Sequence, residues 1–444
     1  MSGVVSRPAG TDGGPANARE FMVSGQRPWT TAACYLAGAS LRKFGAAIWV
    51  PVLLYWVSPA DFTRYGLMLS LVSLLVPLFT LALPFAPMRL AFDYASAGDK
   101  NSLYKEVIRT SFWMSLFAVG LSLGIVSLLY PNDPLSRGAW SLKVCIASQV
   151  MAVILGECAF SILRIQAKAK RFLFTALVYA LLPFFIALPF LSRQDLDPLF
   201  VISAAMAFGM LAASGIAIGP QFKAIFHAIP SKTIRHSAIV FSLPMTFHLV
   251  GLWSINASGR WIGTASQSLD DLASYQLLSA VASLLMGIPV ALLEAKLPHY
   301  NAAFGRGDAS TGVAILRRVM LGCASLMIVI YGAAAIGLSM GQESIPEAYF
   351  PAGWSLTGFC IFNVAHCFYL IGINTLSGLK QTSRLALSTL VSGTLTILVS
   401  YFAAIQFGEI GLVAGMVAGM LLQAIVTNAL AAASMRVYRR KVAA

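Results

Sequence analysis

Apolar residues run along this chain in twelve long stretches separated by short polar breaks, near 31–57, 62–88, 108–130, 140–163, 172–192, 198–222, 238–260, 272–297, 314–340, 350–376, 385–407 and 410–435. A helix needs about 20 mostly apolar residues to cross a bilayer, and each stretch supplies that length. The breaks carry Pro, Asp or Gly, as in Tyr130 to Pro134 and Ser192 to Pro198, the residues that end helices and start turns. The pattern predicts an all-α polytopic membrane protein of about twelve transmembrane helices. Residues 1–28 break the pattern, being rich in Gly, Pro, Ser and Ala without the continuous apolar core of a signal peptide, and are expected to form a disordered cytoplasmic tail.

The stretches also repeat. Ser58-Pro-Ala-Asp61-Phe-Thr-Arg-Tyr65, leading to Leu71-Val-Ser73-Leu-Leu75, is matched 210 residues later by Ser268-Leu-Asp-Asp271-Leu-Ala-Ser-Tyr275, leading to Val281-Ala-Ser283-Leu-Leu285. Gly98-Asp99 with Gly307-Asp308, Arg109 with Arg318, and Arg171 with Arg384 extend the match at a nearly constant offset. A six-helix unit enters the bilayer twice from the same side, so the halves are expected to be parallel repeats around a central cavity. The expected organisation is a tail (1–28), a six-helix bundle (29–225), a cytoplasmic linker (226–237), a second six-helix bundle (238–435) and a basic cytoplasmic tail (436–444).

Composition supports the membrane reading: 58% of residues are hydrophobic and 11% charged, with a mean hydropathy of +0.77, against a typical charged fraction of about 25% in soluble proteins. The net charge of +14 first suggests nucleic acid, but its distribution excludes that explanation. With both termini on one side, that side carries 24 Lys and Arg and the other carries 5 (Arg64, Arg137, Lys143, Arg193 and Arg260), leaving Arg42 and Lys43 inside the first helix. The positive-inside rule makes the basic face cytoplasmic. Asp61, Asp133, Asp195, Asp197, Asp270, Asp271, Glu343, Glu347 and Glu409 fall on the opposite, acidic face. The six cysteines lie within apolar stretches without metal-ligand or disulfide spacing, and read as packing residues.

Four regions carry a family resemblance. Ser58-Pro-Ala-Asp-Phe-Thr-Arg-Tyr-Gly66 is similar to a Ser-Pro-acidic-x-Phe-Gly-x-Tyr-Gly entry to helix two, and Leu83-Pro84 through Arg89 resembles that helix's ending. Arg260-Trp-Ile with Tyr275 resembles an Asp-Arg-x-x…Gly-x-Tyr pattern between helices seven and eight. Gly378-Leu-Lys-Gln, Phe407-Gly-Glu-Ile-Gly411 and Ala414 to Ala418 resemble the last two helices. The sequence thus resembles the polysaccharide export proteins, the Wzx-type flippases of the multidrug, oligosaccharidyl-lipid and polysaccharide exporter superfamily. Gly259 stands where that family often has Asp, and Thr63 and Ser274 where it often has Gly. The resemblance implies a MATE-like fold in the bacterial inner membrane. Its implied activity is flipping a lipid-linked oligosaccharide toward the periplasm for surface polysaccharide biosynthesis, with a polysaccharide polymerase as a possible partner. It implies no cofactor beyond a proton or sodium gradient.

Such a protein needs a polar path for a sugar and diphosphate head group. Charges at bilayer depth are expensive and mark functional candidates. Arg260, at the end of helix seven, is read as a head-group ligand, with snorkelling to the interface as the alternative. Arg42 and Lys43 lie about 20 Å along helix one from its outer end; they serve either as an inner counterpart of Arg260 or as side chains reaching cytoplasmic water. Glu157 is a candidate for ion coupling or a structural partner of a cavity cation, while Glu294, two residues from Lys296, is placed at the membrane edge. His248, Asn256, His366 and Asn374 are candidate sugar contacts, or hydrogen bonds between helices. Gly411, Gly415 and Gly419 have the spacing of a close helix contact. A cation-coupled multidrug antiporter of the same superfamily is the nearest alternative. A membrane-embedded polymerase or ligase would need a catalytic loop, and neither a loop beyond about 20 residues nor an acid/base pair stands out. The chain is therefore expected not to be an enzyme and to hold no metal.

Overall fold

The computed structural model describes residues 28–91, 97–129, 139–166, 168–191, 193, 196–226, 231–340, 349 and 354–443. All regular structure among them is helical: α1 Pro28–Trp56, α2 Pro59–Thr80, α3 Phe85–Leu90, α4 Ala97–Leu129, α5 Ala139–Ile165, α6 Ala169–Leu191, α7 Pro198–Phe226, α8 Lys232–Asn256, α9 Ser258–Gly263, α10 Ala273–Leu285, α11 Gly287–Gly305, α12 Ala309–Met340, α13 Ser355–Gly378 and α14 Thr382–Ala443. Ten helices among the described residues are long and apolar enough to cross a membrane. The last of these spans covers 59 residues, about 88 Å of helix against a hydrocarbon core of about 30 Å, so it must cross twice. It bends at Gly408, whose φ of 57° and ψ of −131° are not helical and suit a residue without a Cβ. Counting its two arms and adding the 29-residue α1 gives the twelve expected passes of a multi-pass membrane protein.

The structure breaks three predicted helices. The stretch 62–88 ends at Thr80, where Leu81 and Ala82 turn left-handed (φ 48° and 51°) before the short α3. The stretch 238–260 begins earlier, at Lys232, and breaks at Ala257, leaving Arg260 on the separate α9. The stretch 272–297 divides at Met286, and Pro289 then sits in the first turn of α11, where its missing N–H costs nothing. Hydropathy continues across all three breaks, which is why the pattern of apolar positions does not reveal them.

The repeat has a structural counterpart at its best-matched point. Ser58 Oγ accepts from Asp61 N at 3.2 Å and donates to Asp61 Oδ2 at 2.7 Å, capping α2. Ser268 Oγ does the same with Asp271, at 3.2 and 2.6 Å, ahead of α10.

Two packing groups follow. In the first, α1 packs on α6, α6 and α5 pack on α7, and α4 packs on α5; in the second, α14 packs on α13, α8 and α9, α12 packs on α13, and α11 packs on α12. Leu71, Val150, Ile202 and Leu199 centre one apolar core, and Leu316, Phe359, Tyr369 and Leu412 centre another. The groups meet where α1 touches α10 and α11, and where α2 touches α8, α9 and α10.

Candidate functional site

The charged residues at this meeting place form one network. Arg42, on α1, donates from Nη1 to Glu157 Oε2 at 3.1 Å and from Nη2 to Glu294 Oε1 at 3.3 Å. Arg164, in the last turn of α5, donates from Nη2 to Glu294 Oε2 at 2.8 Å. Both arginine side chains are 7% exposed, Glu294 is 15% and Glu157 38%, so the acid nearest solvent lies at one edge. Aromatic faces shield the cations: the Arg42 guanidinium carbon lies 5.0 Å from the Phe160 ring centroid and that of Arg164 lies 5.5 Å from Phe172, contacts that strengthen when desolvated. Arg164 Nη1 also reaches Met88 Sδ at 3.3 Å, while its Nε is buried without an acceptor among the described residues. Arg42, Glu157 and Arg164 belong to the first group and Glu294 to the second, so the network bridges the two.

Glu294 therefore lies in an ion cluster between the two helix groups. Positions i and i+2 on a helix face nearly opposite directions, so the exposed Lys296 carries no information about where Glu294 points. Arg164 is not among the sequence-derived candidates, because at the end of its apolar run it reads as part of the basic loop that follows. Lys43 adjoins Arg42 on α1, but its side chain lies outside the described residues.

Arg260 stands apart from this network. On α9 it is partly buried, donating from Nη2 to Ser279 Oγ at 2.8 Å, and its Nε has no acceptor among the described residues. Ser279 and Glu294 are separated by about 22 Å of helix axis along α10 and α11, so the two sites mark opposite ends. Beside Arg260, Tyr275 lies within electrostatic reach of both Arg260 and Glu409, and Glu409 accepts from Ser274 Oγ at 2.6 Å. The glycine at 259 follows from this packing. A Cβ there would overlap the Tyr275 hydroxyl and stand 3.1 Å from Cζ, and Tyr275 is 1% exposed with little room to retreat. Gly259→Ala is expected to cost about 1–3 kcal/mol through overpacking, and Tyr275→Phe in that background should recover part of it. Equal thermal midpoints for the single and double variants would contradict this account.

Of the four polar candidates, His248 and His366 meet at Tyr369, while Asn374 lies beside Tyr300. His248 is fully buried, its Nδ1 2.8 Å from Thr389 Oγ1 and its Nε2 2.9 Å from Tyr369 Oη. Gln423 extends that chain by donating to Thr389 Oγ1 at 2.7 Å and Thr427 Oγ1 at 2.9 Å, tying α8, α13 and α14 together. His366 packs edge-on to Tyr369 with ring centroids 5.2 Å apart, and its Nδ1 has no partner among the described residues; the same is true of Asn256 Oδ1. Asn374 Oδ1 accepts from Tyr300 Oη at 3.0 Å. Since Tyr300 lies within electrostatic reach of Arg164 and Glu294, Asn374 borders the ion network. Elsewhere neutral bonds join the groups: Thr63 Oγ1 donates to Leu269 O at 2.8 Å, and the Trp253 and Trp261 indoles donate to Ser70 O and Oγ at 2.7 and 2.6 Å.

No protein-family model matches the chain, and no curated protein matches it in sequence. Its fold does have solved counterparts. The chain is similar to an outward-facing multidrug-resistance MATE transporter of the MOP superfamily, at 14% identity and a TM-score of 0.69 over 94% of this chain and 98% of that one. It is also similar to a MATE in complex with Br-NRF, at 14% identity and a TM-score of 0.65 over 92% and 96% of the two chains. A MOP superfamily transporter from Pyrococcus furiosus, whose binding pocket of reverse polarity suggests a different function, matches at 13% identity and a TM-score of 0.65 over 93% and 96%. The chain has the MATE fold.

Proposed function

We propose that the chain is a flippase, translocating a polyprenyl-diphosphate-linked oligosaccharide across the bacterial inner membrane by alternating access of its two helix groups, with both termini cytoplasmic. The division of charge in the ion network carries this reading. When the groups part, Glu294 leaves with the second. The first then presents Arg42 and Arg164 with Glu157 as their one remaining carboxylate in the network, a surplus of positive charge on a surface lined by apolar helices. In a weakly screening environment that surplus attracts an anion, and guanidinium groups match phosphate oxygens in geometry. Arg260, whose Nε has no acceptor among the described residues, supplies a second cation along the path. Nothing in this movement needs covalent chemistry; a proton or sodium gradient would drive it, and a polymerase would take up the product.

Reconstituted into vesicles, the wild-type chain is expected to move a fluorescent polyprenyl-diphosphate oligosaccharide between leaflets. Arg42→Gln and Arg164→Gln should each slow it at least about tenfold, the effect of losing roughly 1.4 kcal/mol of head-group interaction. Unchanged rates in folded variants would sink the assignment. The second reading, a cation-coupled drug antiporter, is favoured by the 38% exposure of Glu157 and by the MATE fold; it would gain if the vesicles exchanged a cationic drug for protons and left the lipid in place.

A further inference from the structure

Glu294 meets the first helix group in a particular way. Its carboxylate gives one oxygen to each of two arginines, Oε1 to Arg42 and Oε2 to Arg164. A phosphate group clamped between two guanidinium groups would place two of its oxygens in the same manner. The site also has capacity that a carboxylate leaves unused, because Arg164 Nε is buried without an acceptor among the described residues and a tetrahedral anion has a third oxygen to offer. Both of these inter-group ion pairs end on Glu294, whereas the Thr63–Leu269 and Ser70–tryptophan links are neutral. An anion arriving at the arginines would therefore undo the charged bridge and leave the neutral links intact.

We propose that Glu294 is a tethered competitor for the anionic head group: it occupies the Arg42–Arg164 site and locks the two helix groups together until a phosphate-bearing ligand displaces it. This deepens the flippase reading and rests on it for the identity of the physiological ligand. The lock makes opening at this end conditional on cargo. An empty protein keeps its arginines neutralised and its groups joined, which also limits leakage of small anions. Removing a competitor that fills the site about nine-tenths of the time raises apparent affinity about tenfold, because only the unoccupied fraction is competent to bind.

The test is a titration of the purified full-length chain with inorganic diphosphate, with polyprenyl diphosphate and with the uncharged polyprenol. Glu294→Gln is expected to bind both diphosphates about tenfold more tightly than wild type and polyprenol no differently. Glu294→Asp, too short to span both arginines, should fall between, and Glu294→Gln with Arg164→Gln should lose the gain. If Glu294→Gln and Glu294→Asp, both eluting as folded protein, bind diphosphate no better than wild type, the competitor role is overturned even where polyprenyl diphosphate binds and the flippase reading stands. A gain for inorganic diphosphate with no binding of the lipid would keep the lock and remove the lipid-linked substrate. Absence of binding by every variant would overturn both.

Discussion

Replacing Arg42 by Ala is expected to lower stability by about 3 kcal/mol, the lower part of the range for removing one member of a buried ion pair. The lower part applies for two reasons: Glu157 is 38% exposed and can recover some hydration, and Glu294 keeps Arg164 at 2.8 Å. What remains costly is that two carboxylates which shared one guanidinium now face each other beside Phe160 without it. Replacing Glu157 by Gln in the Arg42→Ala background should therefore restore at least about 1 kcal/mol, since it removes an uncompensated charge. Arg317, exposed on α12, is the control, and Arg317→Ala should stay within about 0.5 kcal/mol of wild type. Thermal unfolding in mild detergent measures all four. Equal midpoints for Arg42→Ala and Arg317→Ala would mean that the network contributes no stability and that its role lies in movement alone.

This contrast shows which parts of the molecule are legible along the chain. Membrane crossings are written as apolar length, and the Ser-x-x-Asp turns at Ser58 and Ser268 recur because a hydroxyl accepting the N–H three residues on is a local device fixed by spacing alone. The ion network is not local. Arg42, Glu157, Arg164 and Glu294 come from three helices, and which of their faces meet is decided by the packing of α1 on α11 and by the break at Met286. An ionisable residue inside an apolar run signals that a partner exists without naming it. Gly259 shows the same limit: its neighbour in sequence is Arg260, but the atom that excludes a side chain there belongs to Tyr275, across the turn between α9 and α10.

Gly415 is where a large packing penalty is expected, and here the sequence spacing and the structure agree. After the bend at Gly408, the second arm of α14 folds back on the first, setting Gly411 against Ala403 and Ala404, Gly415 against Ser400, and Gly419 against Thr396. A Cβ on Gly415 would stand 2.6 Å from Ser400 Cα and 2.7 Å from Ser400 N. Those are backbone atoms, unable to swing aside as a side-chain end can, so the arms would have to separate along their length. Gly415→Ala is expected to cost about 1–3 kcal/mol and Gly415→Leu at least the upper end of that range, even though alanine gains about 1 kcal/mol in helix propensity. Gly322, on α12, isolates the two effects, because a Cβ there meets nothing within 4 Å. Gly322→Ala should therefore raise the thermal midpoint while Gly415→Ala lowers it. If both glycines responded with the same sign, close approach of the two arms would not be what the glycine series in α14 provides.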